Sequence, residues 1–75
     1  MLQANIEIKR NDAGDQWYVA ACSANIDNKD FCSMPLGERF ATKDEAITEM
    51  KRRIIEWFTE KGRMKTEEKI EWRVP

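Results

Sequence analysis

Residues 42–62, TKDEAITEMKRRIIEWFTEKG, decide the fold because they carry the local signals of one amphipathic helix. Thr42 suits an N-cap, and Glu45 follows three residues later, which is the spacing of a capping box. Gly62 is placed to end the helix in the left-handed conformation. Apolar residues recur at helical spacing in one stripe, formed by Ala46, Ile47, Met50, Ile54, Trp57 and Phe58. The pattern predicts a helix over residues 43–61 with one buried face.

Alternating stretches on both sides of this helix predict strands. Residues 2–9 and 70–74 place apolar side chains on one face and polar side chains on the other, a period of two that is typical of half-buried strands. Asn, Asp and Gly residues within 11–15 predict a turn, which leads to a second strand over 16–24. Residues 30–41 are expected to hold a short third strand, interrupted by Pro and Gly.

If the side chains of the second strand alternate regularly between the two faces of the sheet, neither face of the strand is polar. This alternation places Trp17, Val19 and Ala21 on one side of the strand, and the opposite side is formed by Tyr18, Ala20 and Cys22. A strand that is apolar on both faces is expected to be central or to have its second face covered.

The element order is therefore β-β-(β)-α-β in one domain spanning residues 1–75. We predict an α+β fold, in which a three- to four-stranded, mostly antiparallel sheet carries one amphipathic helix on one face. The crossover through the helix is expected to place the last strand beside the first and parallel to it. This architecture requires Ile6, Ile8, Ile70 and Trp72 to share the face on which the helix packs.

Composition restricts the chemistry of the chain. The 13 Lys and Arg residues nearly balance 14 Asp and Glu residues, so the net charge of -1 gives no strong attraction to nucleic acid or membranes. Histidine is absent, which excludes Ser–His and Cys–His pairs, and two cysteines cannot form a four-ligand zinc site alone. We expect Cys22 and Cys32 to be reduced thiols; the alternative is a Cys22–Cys32 disulfide, which requires their Cα atoms to lie within about 7 Å. We also expect a cytoplasmic protein without a metal, a cofactor, a membrane segment or an identifiable small-molecule ligand.

Carboxylates are the remaining candidates for catalysis. The order βββαβ resembles a truncated ribonuclease-H-like core, and this resemblance implies metal ions held by carboxylates on the first strand, the helix and the last strand. Glu45 and Glu49 lie on the predicted helix, but Glu7 and Glu71 fall on the polar faces of their strands, away from the helix. No catalytic or metal-binding site is therefore expected, and we predict that the chain is not an enzyme.

Basic residues are concentrated in the second half of the helix and the stretch beyond it. Within residues 51–65 there are six, opposed by Glu56 and Glu60: Lys51, Arg52, Arg53, Lys61, Arg63 and Lys65. Such a cluster indicates either a surface that contacts nucleic-acid phosphates or an ordinary solvated helix face, with cations near the helix C-terminus.

Aromatic residues suggest an interface. Trp17 and Tyr18 point to opposite faces of their strand, so one helix can cover only one of them. Trp57 and Phe58 are about 100° apart on a helix, which places one of them at the rim of the apolar stripe. The candidate interface residues are Tyr18, Phe31, Trp57 and Phe58. Alternatively, residues 31–36 fold over this apolar surface.

The run from Phe40 to Ile47, which continues to Trp57, resembles the helix entry of HicB-type antitoxin N-terminal domains. The hairpin that contains Gly14 and residues 17–19 is similar as well, and the resemblance covers roughly residues 4–60. It implies a partial ribonuclease-H-like βββαβ fold, in a family that neutralises a small toxin by binding it. We carry over the fold alone.

These observations lead to two expectations for function. The first is a non-catalytic protein-interaction module of unknown partner, a small bacterial or phage accessory protein that forms a homodimer or binds another protein. The alternative is a nucleic-acid-binding module that uses the basic residues of the helix and the following loop.

Overall fold

The computed structural model describes residues 1–63 and 69–74 of the chain. These residues form five strands and one helix: β1 (Leu2–Arg10), β2 (Trp17–Ile26), β3 (Asp30–Ser33), β4 (Arg39–Phe40), α1 (Lys43–Glu60) and β5 (Ile70–Arg73). The sheet is mostly antiparallel in the order β3-β2-β1-β5, and β4 pairs with β2. The predicted α+β class is confirmed, with α1 packed on one face of the sheet.

The crossover through α1 places β5 beside β1 and parallel to it, as the sequence predicts. Leu2 pairs with Ile70 and Ala4 pairs with Trp72. Both β1 residues are buried beneath α1, and paired residues point to the same face of a sheet, so Ile70 and Trp72 face the helix.

The helix begins and ends at the predicted signals. Thr42 Oγ1 accepts a hydrogen bond from the Glu45 amide at 3.1 Å, but among the described residues the Thr42 amide does not donate in return to the Glu45 carboxylate. At the C-terminus Gly62 has φ +75°, and its amide donates to the Thr59 carbonyl at 2.9 Å. The next amide, that of Arg63, donates to the carbonyl of residue 58, which completes a Schellman motif.

A β-bulge interrupts the pairing of β1 with β2. The register shifts between Glu7 and Ile8, so Ala20 is an additional residue without a partner on β1. Val19 and Cys22 are consequently both buried on the helix side, although they are three residues apart. The simple alternation predicted for β2 is therefore wrong, because the residues on the two sides of Ala20 are out of phase.

The third strand is divided in two. β3 and β4 pair with successive parts of β2, and regular pairing is interrupted between them around Pro35 and Leu36. The amides of Met34 and Gly37 still donate to the carbonyls of Cys22 and Val19, at 3.0 Å each. Gly37 has φ +88°, a conformation that residues with a Cβ atom rarely adopt.

The core lies between α1 and the sheet, with the predicted stripe of α1 facing the predicted face of β1. The largest side chains that are fully buried are Leu2, Ile6, Val19, Met50, Ile54 and Phe58. Within residues 1–63 and 69–74, no helix combines the length and apolarity needed to cross a bilayer.

Candidate interaction surface

The helix packs on the central strands of the sheet and does not cover β5. α1 contacts β1 and β2. A helix is about 10 Å wide with its side chains, whereas four strands span roughly 15 Å between the outer strand axes. The three helix-facing residues near this edge, Ile70, Trp72 and Val74, are therefore only half-buried, although they pack against the core.

The flank of α1 nearest to β5 extends this apolar surface. The Lys51 ammonium lies 5.3 Å from the centre of the Trp72 ring, in the range of a cation–π contact. Ile55 follows four residues later on the same flank of the helix and is 39% exposed. We call the surface formed by Lys51, Ile55 and residues 70–74 the β5 edge.

The backbone of β5 is unpaired on its outer side. Among the residues that the structure describes, no strand follows β5 in the sheet, so its outer N–H and C=O groups form a row of unused hydrogen-bonding groups. Glu71 and Arg73 alternate with the apolar residues and face away from α1. Neither has an ion-pair partner within residues 1–63 and 69–74.

The predicted nucleic-acid-binding residues are mostly engaged with acidic partners. Arg52 contacts Glu49 at 2.9 Å and Glu56 at 2.8 Å. Arg53 bridges Glu49 on its own helix, at 3.1 Å, and Glu38 before β4, at 2.7 Å. These partners neutralise two of the guanidinium groups that are candidates for phosphate contacts.

The other predicted basic residues are dispersed. Arg63 forms an ion pair of 3.0 Å with Asp27 at the β2–β3 turn. Lys51 lies over Trp72, whereas Lys61 lies 6.0 Å from the ring centre of Trp57 on the opposite flank. Lys65 lies outside the described residues. The structure therefore does not assemble a continuous basic patch from the described members of this set.

These ion pairs change the acidity of the groups involved. Hydrogen bonds from Arg52, and then from Arg53, lower the pKa of Glu49 to about 2, against an opposing effect of desolvation. The Glu49 carboxylate in turn raises the pKa of Arg52, and the Glu38 carboxylate raises the pKa of Arg53. A hydrogen bond from the chain's amino terminus, followed by one from Arg63, lowers the pKa of Asp27.

The predicted interface residues do not lie on one surface. Tyr18 pairs with Lys9 on the open face of the sheet and is half-buried. Phe31 is 69% exposed on the open face of β3. Trp57 is half-buried on the β3 side of α1, lining a groove with Cys32 and Met34.

Phe58 requires a correction. Its side chain is 0% exposed and belongs to the core between α1 and the sheet. The helix places Phe58 in line with Met50 and Ile54, at intervals of four residues, so the adjacent Trp57 is the residue at the rim. Phe58 therefore cannot contribute to an interface of the folded chain.

The open face of the sheet carries a shallow polar depression of about 310 Å³. Side chains of Gln3, Asn5, Ser23, Asn25 and Arg73 line it. None of the polar side chains in the described part of the chain is buried, so these groups are solvated and converge on no enclosed ligand site.

The candidate catalytic groups are separated. Glu7 and Glu71 face the open side of the sheet as predicted, and α1, which carries Glu45 and Glu49, lies on the other side. Within residues 1–63 and 69–74 no three or more His, Cys, Asp or Glu side chains are grouped as metal ligands would be.

The two cysteines are free thiols on the helix side of β2 and β3. Cys32 pairs with Ala24, which makes Cys22 its diagonal neighbour. The Cα atoms of such neighbours are about 7–8 Å apart, whereas those of a disulfide are usually about 4.4–6.8 Å apart. Burial raises the pKa of Cys22 to about 11, with a further contribution from Cys32, so this thiol is a weak nucleophile.

A comparison of the chain with protein-family models, curated proteins and solved structures finds no match. The resemblance to HicB-type antitoxin N-terminal domains therefore stays a prediction.

Sequence reasoning missed the residues of the β5 edge. The alternation of residues 70–74 and their position beside β1 are both readable from the chain. The missing step was to compare the width of one helix with the width of the sheet, which indicates that Trp72 lies beyond the helix's cover.

Proposed function

We propose that the chain is a non-catalytic protein-interaction module that binds its partner through the β5 edge. The observation that carries the proposal is the combination of half-buried apolar side chains and unpaired backbone on one strand. Apolar patches of this kind are typical of protein interfaces, and a partner strand added to an open sheet edge gains main-chain hydrogen bonds.

The other exposed apolar residues support this choice less well. Phe31 and Leu36 are 69% and 62% exposed. Phe31 is surrounded on the open face by polar groups of Asn25 and Ser33, so it does not continue into an apolar surface. The β5 edge offers several adjacent apolar side chains together with a strand edge.

The proposal is tested with Ile55→Lys, which places a charge on the helix flank of the β5 edge without entering the core. Tagged wild-type and variant chains are used as bait in cytosol of the native host, and self-association is measured by sedimentation. We expect the wild type to bind a partner protein, which is either a second copy of the chain or a different chain. We expect Ile55→Lys to bind this partner with at least tenfold lower affinity.

Leu36→Lys is the matched control, because it makes the same type of change at an exposed residue between β3 and β4. It is expected to bind as the wild type does. Loss of binding in Leu36→Lys with retention in Ile55→Lys would move the interface to the β3 side, and the absence of any partner would contradict the proposal.

The alternative function, nucleic-acid binding, is weakened by the acidic partners of Arg52 and Arg53. A phosphate-binding module loses affinity steeply as salt rises, because contacts with phosphates release counterions. Binding of single- or double-stranded oligonucleotides that falls in this way, and that is lost in Lys61→Glu, would favour this alternative.

A further inference from the structure

We infer that the partner of the β5 edge is a second copy of this chain, joined through antiparallel pairing of β5 with β5 in the register that places Trp72 opposite Trp72. This inference rests on the proposed function, because it names the partner of the same surface. It follows from the order of side chains along one strand.

The symmetry of the assembly limits the registers that β5 can use. A two-fold axis perpendicular to the sheet makes the two β5 strands antiparallel and keeps both helices on the same face. Directly opposed residues must then point to the same side of the sheet. In a pair centred on one residue, that residue opposes its own copy, so the available centres are positions 71, 72 and 73.

Charge selects one of these centres. A pair centred on residue 71 opposes Glu71 to its own copy, and a pair centred on residue 73 opposes Arg73 to its own copy. Like charges directly opposite each other destabilise a strand pair. A pair centred on Trp72 instead opposes Glu71 of each copy to Arg73 of the other, which forms two complementary ion pairs on the open face.

The apolar face is complementary in the same register. Ile70 of each copy lies opposite Val74 of the other, on the helix side, with the two Trp72 side chains at the centre. α1 lies over β1 and β2, so the two helix axes are separated by roughly 19 Å, four strand spacings, and do not clash. The half-buried side chains of the β5 edge become the centre of a continuous sheet.

The unpaired state of the two charges agrees with this arrangement. Glu71 and Arg73 lie on the same face of β5, yet they form no ion pair with each other or with the rest of residues 1–63 and 69–74. By contrast, Glu7 and Lys9 have the same spacing on β1 and form an ion pair, with 3.5 Å between Glu7 Oε1 and Lys9 Nζ. The ion pairs that Glu71 and Arg73 do not form within residues 1–63 and 69–74 of one chain are formed between two copies in this register.

Sedimentation velocity of charge variants, at low salt and over micromolar to millimolar concentrations, tests the register. Glu71→Lys and Arg73→Glu each convert both attractive pairs into repulsive ones, and we expect each to weaken self-association on the order of tenfold. An equimolar mixture of these two variants restores association, because each attractive pair is rebuilt between unlike chains.

The double variant Glu71→Lys/Arg73→Glu gives the sharpest outcome. It is expected to associate with itself as tightly as the wild type does, and to associate with the wild type at least tenfold more weakly. A purely structural role of either residue within one chain would not produce this selectivity. Glu7→Lys and Lys9→Glu are matched controls, because they make the same changes of charge on the same sheet face away from the edge.

The possible failures are distinguishable. A wild-type chain that is monomeric at millimolar concentration overturns the inference, while capture of a different protein that is lost in Ile55→Lys still supports the proposed function. If the wild-type dimer is lost in Ile55→Lys but does not depend on the charges of residues 71 and 73, the β5 edge is the interface and only the proposed register is wrong. A dimer indifferent to both changes overturns the inference and the proposed surface together.

Discussion

The Glu49 carboxylate connects two arginines of its own helix, and through Arg53 it is connected to Glu38 before β4. This cluster joins the middle of α1 to the segment that enters it. The same contacts that fix α1 against β4 also remove the two guanidinium groups from the surface available to phosphates.

The pKa of Glu49 gives a prediction about acid stability. Because the folded-state pKa is about 2 and the ordinary value is 4.5, the unfolded chain binds a proton at Glu49 first as the pH falls. The stabilisation from this carboxylate is complete above about pH 5 and is lost between roughly pH 5 and 2. We expect Glu49→Gln to lower Tm at pH 7 and to have a much smaller effect near pH 2, where the carboxylate is half protonated in the folded chain.

Thermal unfolding followed by circular dichroism at several pH values measures this difference. Glu60→Gln is the control, since Glu60 has no ion-pair partner among the residues that the structure describes. A Glu49→Gln deficit that stays constant from pH 7 to pH 2 would show that the arginines do not stabilise the charged carboxylate.

At the scale of elements, the helix ends depend on particular residues. Gly62 has φ +75°, and a Cβ atom built there meets no atom within 4 Å. The cost of Gly62→Ala is therefore that of the backbone conformation alone, and we expect a loss of about 1 kcal/mol in the free energy of unfolding.

Urea denaturation measures this loss. Thr59→Ala serves as a comparison, because it changes an exposed residue of the same last turn that has ordinary helical geometry. A Gly62→Ala chain as stable as the wild type would mean that the helix end rearranges and that the Schellman motif contributes little.

The elements differ in how far the sequence predicts them, and the difference has a physical cause. α1 is predicted almost to the residue because its cap at Thr42, its stripe and its stop at Gly62 are local signals. The bulge at Ala20 is not predictable from alternation, because an additional residue changes the phase without any change in composition. β3 and β4 were poorly located because pairing with β2, and not their own pattern, defines them.

At the scale of the whole molecule, one helix on a sheet of this width leaves both edges partly uncovered. Of the predicted interface residues, Tyr18 and Phe31 lie on the open face of the sheet, Trp57 lies on a flank of α1, and Phe58 is in the core. Burial of an aromatic side chain depends on which strands are central and which are edges. The sequence predicts β5 beside β1, but Trp72 is identified as a residue that α1 does not cover only when the width of one helix is compared with the width of the whole sheet.

The proposed dimer gives a prediction for the whole chain. A partner that binds the folded chain and not the unfolded one raises the apparent stability by mass action, so Tm should increase with protein concentration. We expect a measurable rise in Tm between about 10 µM and 1 mM. Calorimetry at several concentrations of wild type and Ile55→Lys measures the effect, and an equal Tm at all wild-type concentrations would argue against association of folded chains.

The additional residue at Ala20 has a consequence for how the chain can vary in length. Alternate side chains of β2 face α1, and the extra residue Ala20 shifts this alternation by one position between the two halves of the strand. Removal of Ala20 would leave Val19 and Cys22 two residues apart, the spacing at which side chains of a strand share one face, so both would stay on the helix side with their present partners on β1. β2 can therefore lose one residue at this position without exposing its core side chains, whereas the same loss in β1 would move side chains from one face of the sheet to the other.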